Sequence, residues 1–239
     1  MIIDNHVHFG WYSDGYHSPL NVWSNLKNIG IEKFVVTSTS TCAELYTNVR
    51  TEIQQFISLA GKKEVAPVLW ITPSLLKKKK RLKTVLQQTD WRGVKMHWWA
   101  HPEFYFNNRL VNDALAIAKD HGKMLIHTGD SKYCNALIYN EMCKNNPDIK
   151  IVLAHSRPVD EAIFVLKNNE NAFIDSSFMN FEDIKKVYFN DLGKKILYGS
   201  DYPITRIYYN DDFGKDYLRK QIKLIAELDS SILSNSIWF

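Results

Sequence analysis

The sequence predicts an α/β chain wound into a (β/α)8, TIM-like barrel. Three observations predict it. Eight short apolar, β-branched runs recur along the chain, amphipathic helical patterns separate them, and five of the runs end in a histidine or an aspartate. Strands alternating with helices build a parallel sheet. Eight of them close into a barrel whose chemistry sits at the C-terminal strand ends. At 239 residues the chain is slightly short for this fold, so its loops must be short. An open doubly wound sheet is the alternative, but no glycine-rich phosphate loop follows the first run. No repeat, low-complexity segment or linker divides the chain, so residues 1–239 are expected to form one domain.

The elements follow in order. The first run is MIIDNHVH, and the helix after it is well marked: Ser18 caps it, Pro19 suits its first turn and Gly30 its C-terminal end. EKFVVTST is the second run, followed by a helix from about Ala43 to Ala60 that stops at Gly61. EVAPVLWI is the third. The basic stretch SLLKKKKRLKTVL then carries six cationic residues between Lys77 and Lys83. Its Leu75, Leu82, Val85 and Leu86 recur at helical spacing, so the lysines read as the solvated face of a helix. No aromatic residue interleaves them, as a stacking surface for single strands requires. RGVKMH, GKMLIHT, IKIVLAH, NAFIDSS and KKILYGSD are the remaining runs. Between and after them lie helical patterns at RLVNDALAIAKDHG, KYCNALIYNEMCKNN, VDEAIFVLKNN and YLRKQIKLIAEL.

Composition sets the setting. Apolar residues make up 45% and charged residues 23%, ordinary values for a globular protein with a core that needs no disulfide or structural metal. The net charge of +4 does not by itself imply nucleic acid or membrane, and neither is expected as a partner. Cys42, Cys134 and Cys143 have no paired spacing and fit a reducing compartment. There is no charged-then-apolar leader and no apolar stretch of bilayer length, so a cytoplasmic protein acting on a small molecule is expected. Homo-oligomerisation is left open.

The polar residues at the run ends carry the chemistry. His6 and His8 are two apart and share one strand face, as Asp4 does by the same alternation. Two imidazoles at a strand end can hold one metal ion, although the pair alone fits ordinary surface or edge histidines better. Lys95 and His97 share a face of the fourth run. His127 ends the fifth, His155 the sixth and Asp201 the eighth. Each alone fits a hydrogen-bonded rim residue, whereas the set at one barrel mouth points to a metal centre.

These segments resemble the metal-dependent amidohydrolase superfamily, in the amidohydrolase-2 branch that includes aminocarboxymuconate semialdehyde decarboxylase. IIDNHVHFG, RGVKMHWWAHPEF, MLIHTGD, IVLAHS, ILYGSDYP and the closing ILSNSIWF carry the resemblance, which spans nearly the whole chain. It implies a distorted (β/α)8 barrel. It also implies that His6, His8, His127 and Asp201 bind a principal divalent ion. His155 is then a second-site ligand or the residue that orients the attacking water. Lys95 matches a position carbamylated in two-metal members, so one ion or two are expected.

Imidazoles with a carboxylate suit zinc first, with manganese and iron as alternatives. Water on such an ion ionises near neutrality. Asp201 is the expected base and His155 a stabiliser of the developing oxyanion. Asp4 is either a support for a metal-binding ring or a plain interior carboxylate. Lys95, costly to bury as an ammonium, is expected to be neutral or modified. His97, Trp98, Arg157 and Arg206 are the candidate substrate contacts, with Trp11, Tyr12, Trp99 and Tyr202 as further loop aromatics. Aromatic walls with arginines suit a small planar or cyclic carboxylate. The expected activity is hydrolysis of a lactone, amide or ester. A decarboxylase or hydratase is the alternative, and a non-catalytic barrel or a TatD-type nuclease is less favoured, the latter because its strand-four glutamate is Lys95 here.

Overall fold

The computed structural model describes residues 1–208 and 215–239. Its strands are β1 (Ile3–Tyr12), β2 (Gly15–His17), β3 (Lys33–Ser38), β4 (Val65–Trp70), β5 (Gly93–Met96), β6 (Lys123–His127), β7 (Lys150–Ala154), β8 (Ala172–Asp175) and β9 (Ile196–Leu197). They form one sheet in the order β2-β1-β3-β4-β5-β6-β7-β8-β9. Every neighbouring pair is parallel except the β1–β2 hairpin. The eight parallel strands are the eight predicted runs. β2 is an addition that the sequence reading did not contain.

The sheet curls until its first strand meets its last segment. Asn5 N donates to Tyr198 O at 2.8 Å, Asp201 N to His6 O at 2.8 Å, and His8 N to Tyr202 O at 2.8 Å. These bonds satisfy the backbone groups that an open edge would leave unpaired. They also bring the first and last site-bearing segments together.

The helices are α1 (Pro19–Asn28), α2 (Tyr46–Ala60), α3 (Pro73–Lys77), α4 (Lys79–Leu86), α5 (Glu103–Phe106), α6 (Asn108–His121), α7 (Asn140–Asn145), α8 (Val159–Asn168), α9 (Phe181–Val187), α10 (Ile204–Tyr208) and α11 (Lys215–Asp229). Local signals fix several boundaries. Ser18 accepts from Asn21 N at the start of α1, and α6 runs between an Asn107 cap and Gly122 in the left-handed region at φ 68°. Three expectations change. α2 starts at Tyr46, because Thr39–Thr41 form a 3-10 turn capped by Ser38. The basic helix splits at Lys78, whose ψ of 66° interrupts it. The pattern around residues 133–146 gives a 3-10 turn at Ala136–Tyr139 before the short α7.

Alternation along the strands sorts side chains into two cores. Phe34, Val36, Val94, Met96, Met124, Ile126, Ile151 and Leu153 face the helices. Val35, Val68, Leu125, Val152, Ala154 and Leu197 fill the barrel, where Trp238 of the C-terminal tail joins them. Trp238 passes so close to Gly93 that a Cβ there would lie 2.5 Å from its ring, so residue 93 has room only for glycine. Above this apolar layer the inward positions become polar, and the site begins. Among the described residues, no helix is long and apolar enough to cross a membrane.

Candidate metal centre

Strand β1 delivers His6 and His8 to the top of the barrel, 1% and 2% exposed. Their tautomers follow from their partners. His8 Nδ1 lies 3.1 Å from Thr37 O, a carbonyl that only accepts, so Nδ1 carries the hydrogen. His6 Nδ1 lies 2.9 Å from Asp175 Oδ2 and carries its hydrogen for the same reason. Both Nε2 atoms therefore present lone pairs, and they face each other at 3.1 Å. Asp201 Oδ1 is 3.2 Å from each. Three buried acceptors this close repel one another unless a cation lies among them.

Lys95, on β5, supplies one positive charge. Its Nζ is 2.8 Å from His6 Nε2 and 2.7 Å from His8 Nε2, and it lies 4.7 Å from the Trp70 ring centre. Burial lowers its pKa to about 8, against the pull of Asp201 and Asp175. Burial likewise lowers His6 and His8, with the Lys95 charge adding to the effect. Asp201 is pushed up by burial, with His6 and Lys95 pulling the other way. His6, His8 and Asp201 form a group able to hold a metal ion, and so do His6, His155 and Asp175.

A second pair of imidazoles lies alongside. His127 Nδ1 is 3.0 Å from His155 Nε2, and the His6 and His155 rings stack with centres 5.4 Å apart. His127 Nε2 meets Asp130 Oδ2 at 2.9 Å, and Arg157 Nη1 meets Asp130 Oδ1 at 3.1 Å. His127 thus falls outside the His6–His8–Asp201 triangle in which it was expected and joins His155 instead.

Other expectations are corrected as well. Asp4 does not share the face of His6 and His8. A bulge places one extra residue on β1 between Asp4 and Val7, and Asp4 pairs with the outward-facing Phe34. Asp4 accepts from Ser200 N at 2.9 Å and His6 N at 3.1 Å, and burial raises its pKa to about 7. The carboxylate that holds the His6 ring is Asp175, which the sequence reading did not single out. Its only signal was a place at the end of the apolar run AFID, before two serines.

A cavity of about 300 Å³ opens over the centre, lined by His8, Lys95, His97, His127, His155 and Asp201, with Tyr12, Trp70, Trp99, Phe178 and Arg157 among its walls. His97 lies flat between Trp70 and His127, its ring centre 5.2 Å and 3.9 Å from theirs. Ala100 N donates to His97 Nδ1 at 3.2 Å, which leaves Nε2 as the protonated nitrogen of the neutral ring. Burial, then the His127 charge, keeps that ring's pKa well below the usual value. Trp98 does not line the cavity. It packs edge-on against Tyr139, ring centres 5.0 Å apart, beneath the loop. Arg206 does not reach the cavity either; its Nη2 binds Asp14 Oδ2 at 2.6 Å in a separate cleft that Tyr202 also lines. Trp11 is exposed on the hairpin, its ring tilted against that of Tyr16 with centres 5.3 Å apart.

No protein-family model and no curated protein matches the chain. Solved structures match it in fold. A probable 2-pyrone-4,6-dicarboxylic acid hydrolase from Acinetobacter baumannii, with citric acid bound, has a TM-score of 0.66 at 13% identity, over 97% of this chain and 95% of that one. An amidohydrolase from Burkholderia multivorans with bound zinc has a TM-score of 0.64 at 11% identity, over 100% and 96%. A 2,6-dihydroxybenzoate decarboxylase in complex with 2,6-dihydroxybenzoate has a TM-score of 0.56 at 11% identity, over 88% and 83%. This chain has the barrel fold that these hydrolases, amidohydrolases and decarboxylases share.

Proposed function

We propose that the chain is a metal-dependent hydrolase of the amidohydrolase superfamily, acting on a small lactone, amide or ester that carries a carboxylate. The observation that carries the reading is the convergence of His6 Nε2, His8 Nε2 and Asp201 Oδ1 within 3.1–3.2 Å of one another. The set fits a divalent ion, because each atom is a lone-pair donor and both imidazoles are held from behind at Nδ1, His6 by Asp175 and His8 by Thr37 O. Two imidazoles and a carboxylate favour zinc, with manganese or iron as alternatives. His127, His155 and Lys95 are the residues available to a second ion, Lys95 after carbamylation. An ion held at His6, His8 and Asp201 supplies Lewis acidity, which acidifies water and polarises a carbonyl.

The remaining work falls to side chains. Asp201, its pKa raised by burial, accepts the proton of the attacking water. His97 offers Nε2–H to a substrate oxygen and, being neutral, polarises it without adding a charge. His155 also lines the cavity, but its ring is neutral and its Nδ1 hydrogen is held by Ser177, so stabilising the oxyanion falls to His97 and His155 is left to the second ion. Trp70, Trp99 and Phe178 give flat apolar walls, and Arg157 at the rim suits a carboxylate. The chain is read as one catalytic domain over residues 1–239. A cytoplasmic setting agrees with its three free cysteines.

A lyase is the second reading, favoured by the fold shared with a decarboxylase. Metal analysis and turnover over a panel of lactones, esters, amides and aromatic carboxylates test both. Chelator-sensitive acid formation supports the hydrolase and carbon dioxide release the lyase. A chain that binds no divalent ion and turns over unchanged in chelator overturns both.

A further inference from the structure

Asp175 ends β8 with no exposed surface and collects more hydrogen bonds than any packing role requires. Its Oδ2 accepts from His6 Nδ1 at 2.9 Å. Its Oδ1 accepts from Ser177 N at 3.0 Å, from His155 N at 3.2 Å and from the Ser177 hydroxyl. That hydroxyl has one hydrogen, and the carboxylate takes it. Ser177 Oγ can then only accept from His155 Nδ1, 2.8 Å away. Ser177 O, 3.4 Å from the same nitrogen, also only accepts. His155 Nδ1 therefore carries the hydrogen, and its Nε2 turns a lone pair to His127.

We propose that Asp175 is the positioning residue of the centre, holding His6 directly and His155 through the Ser177 hydroxyl, so that both rings turn an unprotonated Nε2 to their partner imidazoles. One carboxylate on β8 thereby sets the tautomers of two histidines on different strands, β1 and the end of β7. It serves both imidazole pairs at once. Gly199 makes room for it: a Cβ there would lie 3.1 Å from Asp175 Cβ and Cγ and from His6 Cβ. The consequence for metal binding rests on the function proposed above, but the tautomers themselves do not.

The test is ring-nitrogen NMR of the full-length chain labelled with 15N-histidine, after chelator dialysis and again after adding zinc. Before zinc, wild type should show Nδ1–H at both His6 and His155. In Asp175→Asn, the amide oxygen stays with the two backbone N–H groups and the amide nitrogen faces His6. His6 should then reverse to Nε2–H, and zinc affinity by chelator competition should fall about 10- to 100-fold. In Ser177→Ala, His6 should keep Nδ1–H while His155 loses its fixed tautomer. Asp175→Asn needs an unchanged circular dichroism spectrum to count. If it does not fold, the wild-type tautomers and Ser177→Ala still decide. An Nε2–H tautomer at His6 or His155 in wild type overturns the proposal, and so does an unreversed His6 in folded Asp175→Asn. Correct tautomers in a chain that binds no zinc support the positioning role and overturn the metal reading alone.

Discussion

Gly199→Ala is the sharpest probe of how the centre is packed. The backbone at Gly199 does not lie in the left-handed region, so an alanine meets no conformational penalty there. The whole effect comes from the new methyl. It would sit 3.1 Å from three carbons, Asp175 Cβ, Asp175 Cγ and His6 Cβ. Comfortable carbon–carbon contact is about 3.5–4.0 Å, so each contact is short by several tenths of an ångström. Neither neighbour can yield freely. Asp175 is tied to two backbone N–H groups, and His6 lies between Asp175 and Lys95. Overpacking of this kind costs about 1–3 kcal/mol. For a chain of this size that lowers Tm by about 2–12 °C. The displacement falls on His6, a proposed metal ligand, so zinc affinity should fall with it, by about tenfold or more.

Gly122→Ala is the control. Gly122 has φ 68°, and the nearest atom to its added Cβ is Asp148 O at 4.0 Å. Its cost is backbone strain of about 1–2 kcal/mol, remote from the centre, with zinc affinity unchanged. Thermal unfolding and a competition titration with a chromophoric chelator read both variants. A Gly199→Ala chain with wild-type Tm and zinc affinity would refute the packing argument. Equal loss of zinc affinity in Gly122→Ala would do the same.

Four further outcomes are expected. Asp201→Asn should keep the fold and lose about a hundred- to ten-thousand-fold in turnover, read on the best substrate of the panel; near-normal turnover would remove Asp201 as the base. Saturating zinc at about a hundred times its Kd should add about 2.7 kcal/mol of stability, so chelator should lower Tm by about 5–11 °C in calorimetry. In the metal-free chain Lys95 has a pKa of about 8 rather than 10.5, so between those values the unfolded chain binds a proton that the folded chain does not, and stability should rise with pH by about 3 kcal/mol; urea unfolding of Lys95→Met should lack that rise. Trp98→Ala should destabilise the chain by about 3–5 kcal/mol through loss of its buried packing, whereas Trp99→Ala, 57% exposed, should raise KM with little change in Tm.

The parts of the fold that depend on period were legible in the sequence. All eight parallel strands were readable because each is a short apolar run between helical patterns, and His6, His8, Lys95, His127 and Asp201 stood out because polar residues ending such runs are costly without a purpose. What escaped depends on departures from period. The bulge in β1 adds one residue between Asp4 and Val7 and turns Asp4 to the other face, which strict alternation cannot foresee. Trp98 and Trp99 follow the end of β5 at Met96, where alternation no longer applies, so the sequence could not say which of them faces the cavity. Arg206 was read by its distance from β9, but Asp14 on the hairpin loop captures it, and the hairpin was not foreseen. Asp175 had the same pattern as the histidines, yet one aspartate in AFIDSS says nothing about which ring it meets across the barrel.

The site also departs from relaxed backbone geometry. Seven described residues other than glycine have positive φ, and four of them, Asp130, His155, Phe178 and Asp201, line the cavity. Each such conformation costs of order 1–3 kcal/mol and persists only where surrounding bonds enforce it. The enforcing bonds are visible: Asp201 N donates to His6 O at 2.8 Å, and His155 N to Asp175 Oδ1 at 3.2 Å. At both residues the chain leaves the strand conformation where the side chain must turn into the centre. Sequence carries no mark of this, because histidine and aspartate at a strand end read the same whether relaxed or strained. The strain and Asp175 belong to one arrangement: the carboxylate that orients the His6 ring also accepts the backbone N–H of His155 in its left-handed turn. Loss of that carboxylate therefore acts on ring orientation and on backbone together, which is why the conservative Asp175→Asn, keeping an acceptor for the backbone, separates the two effects where a truncation would not.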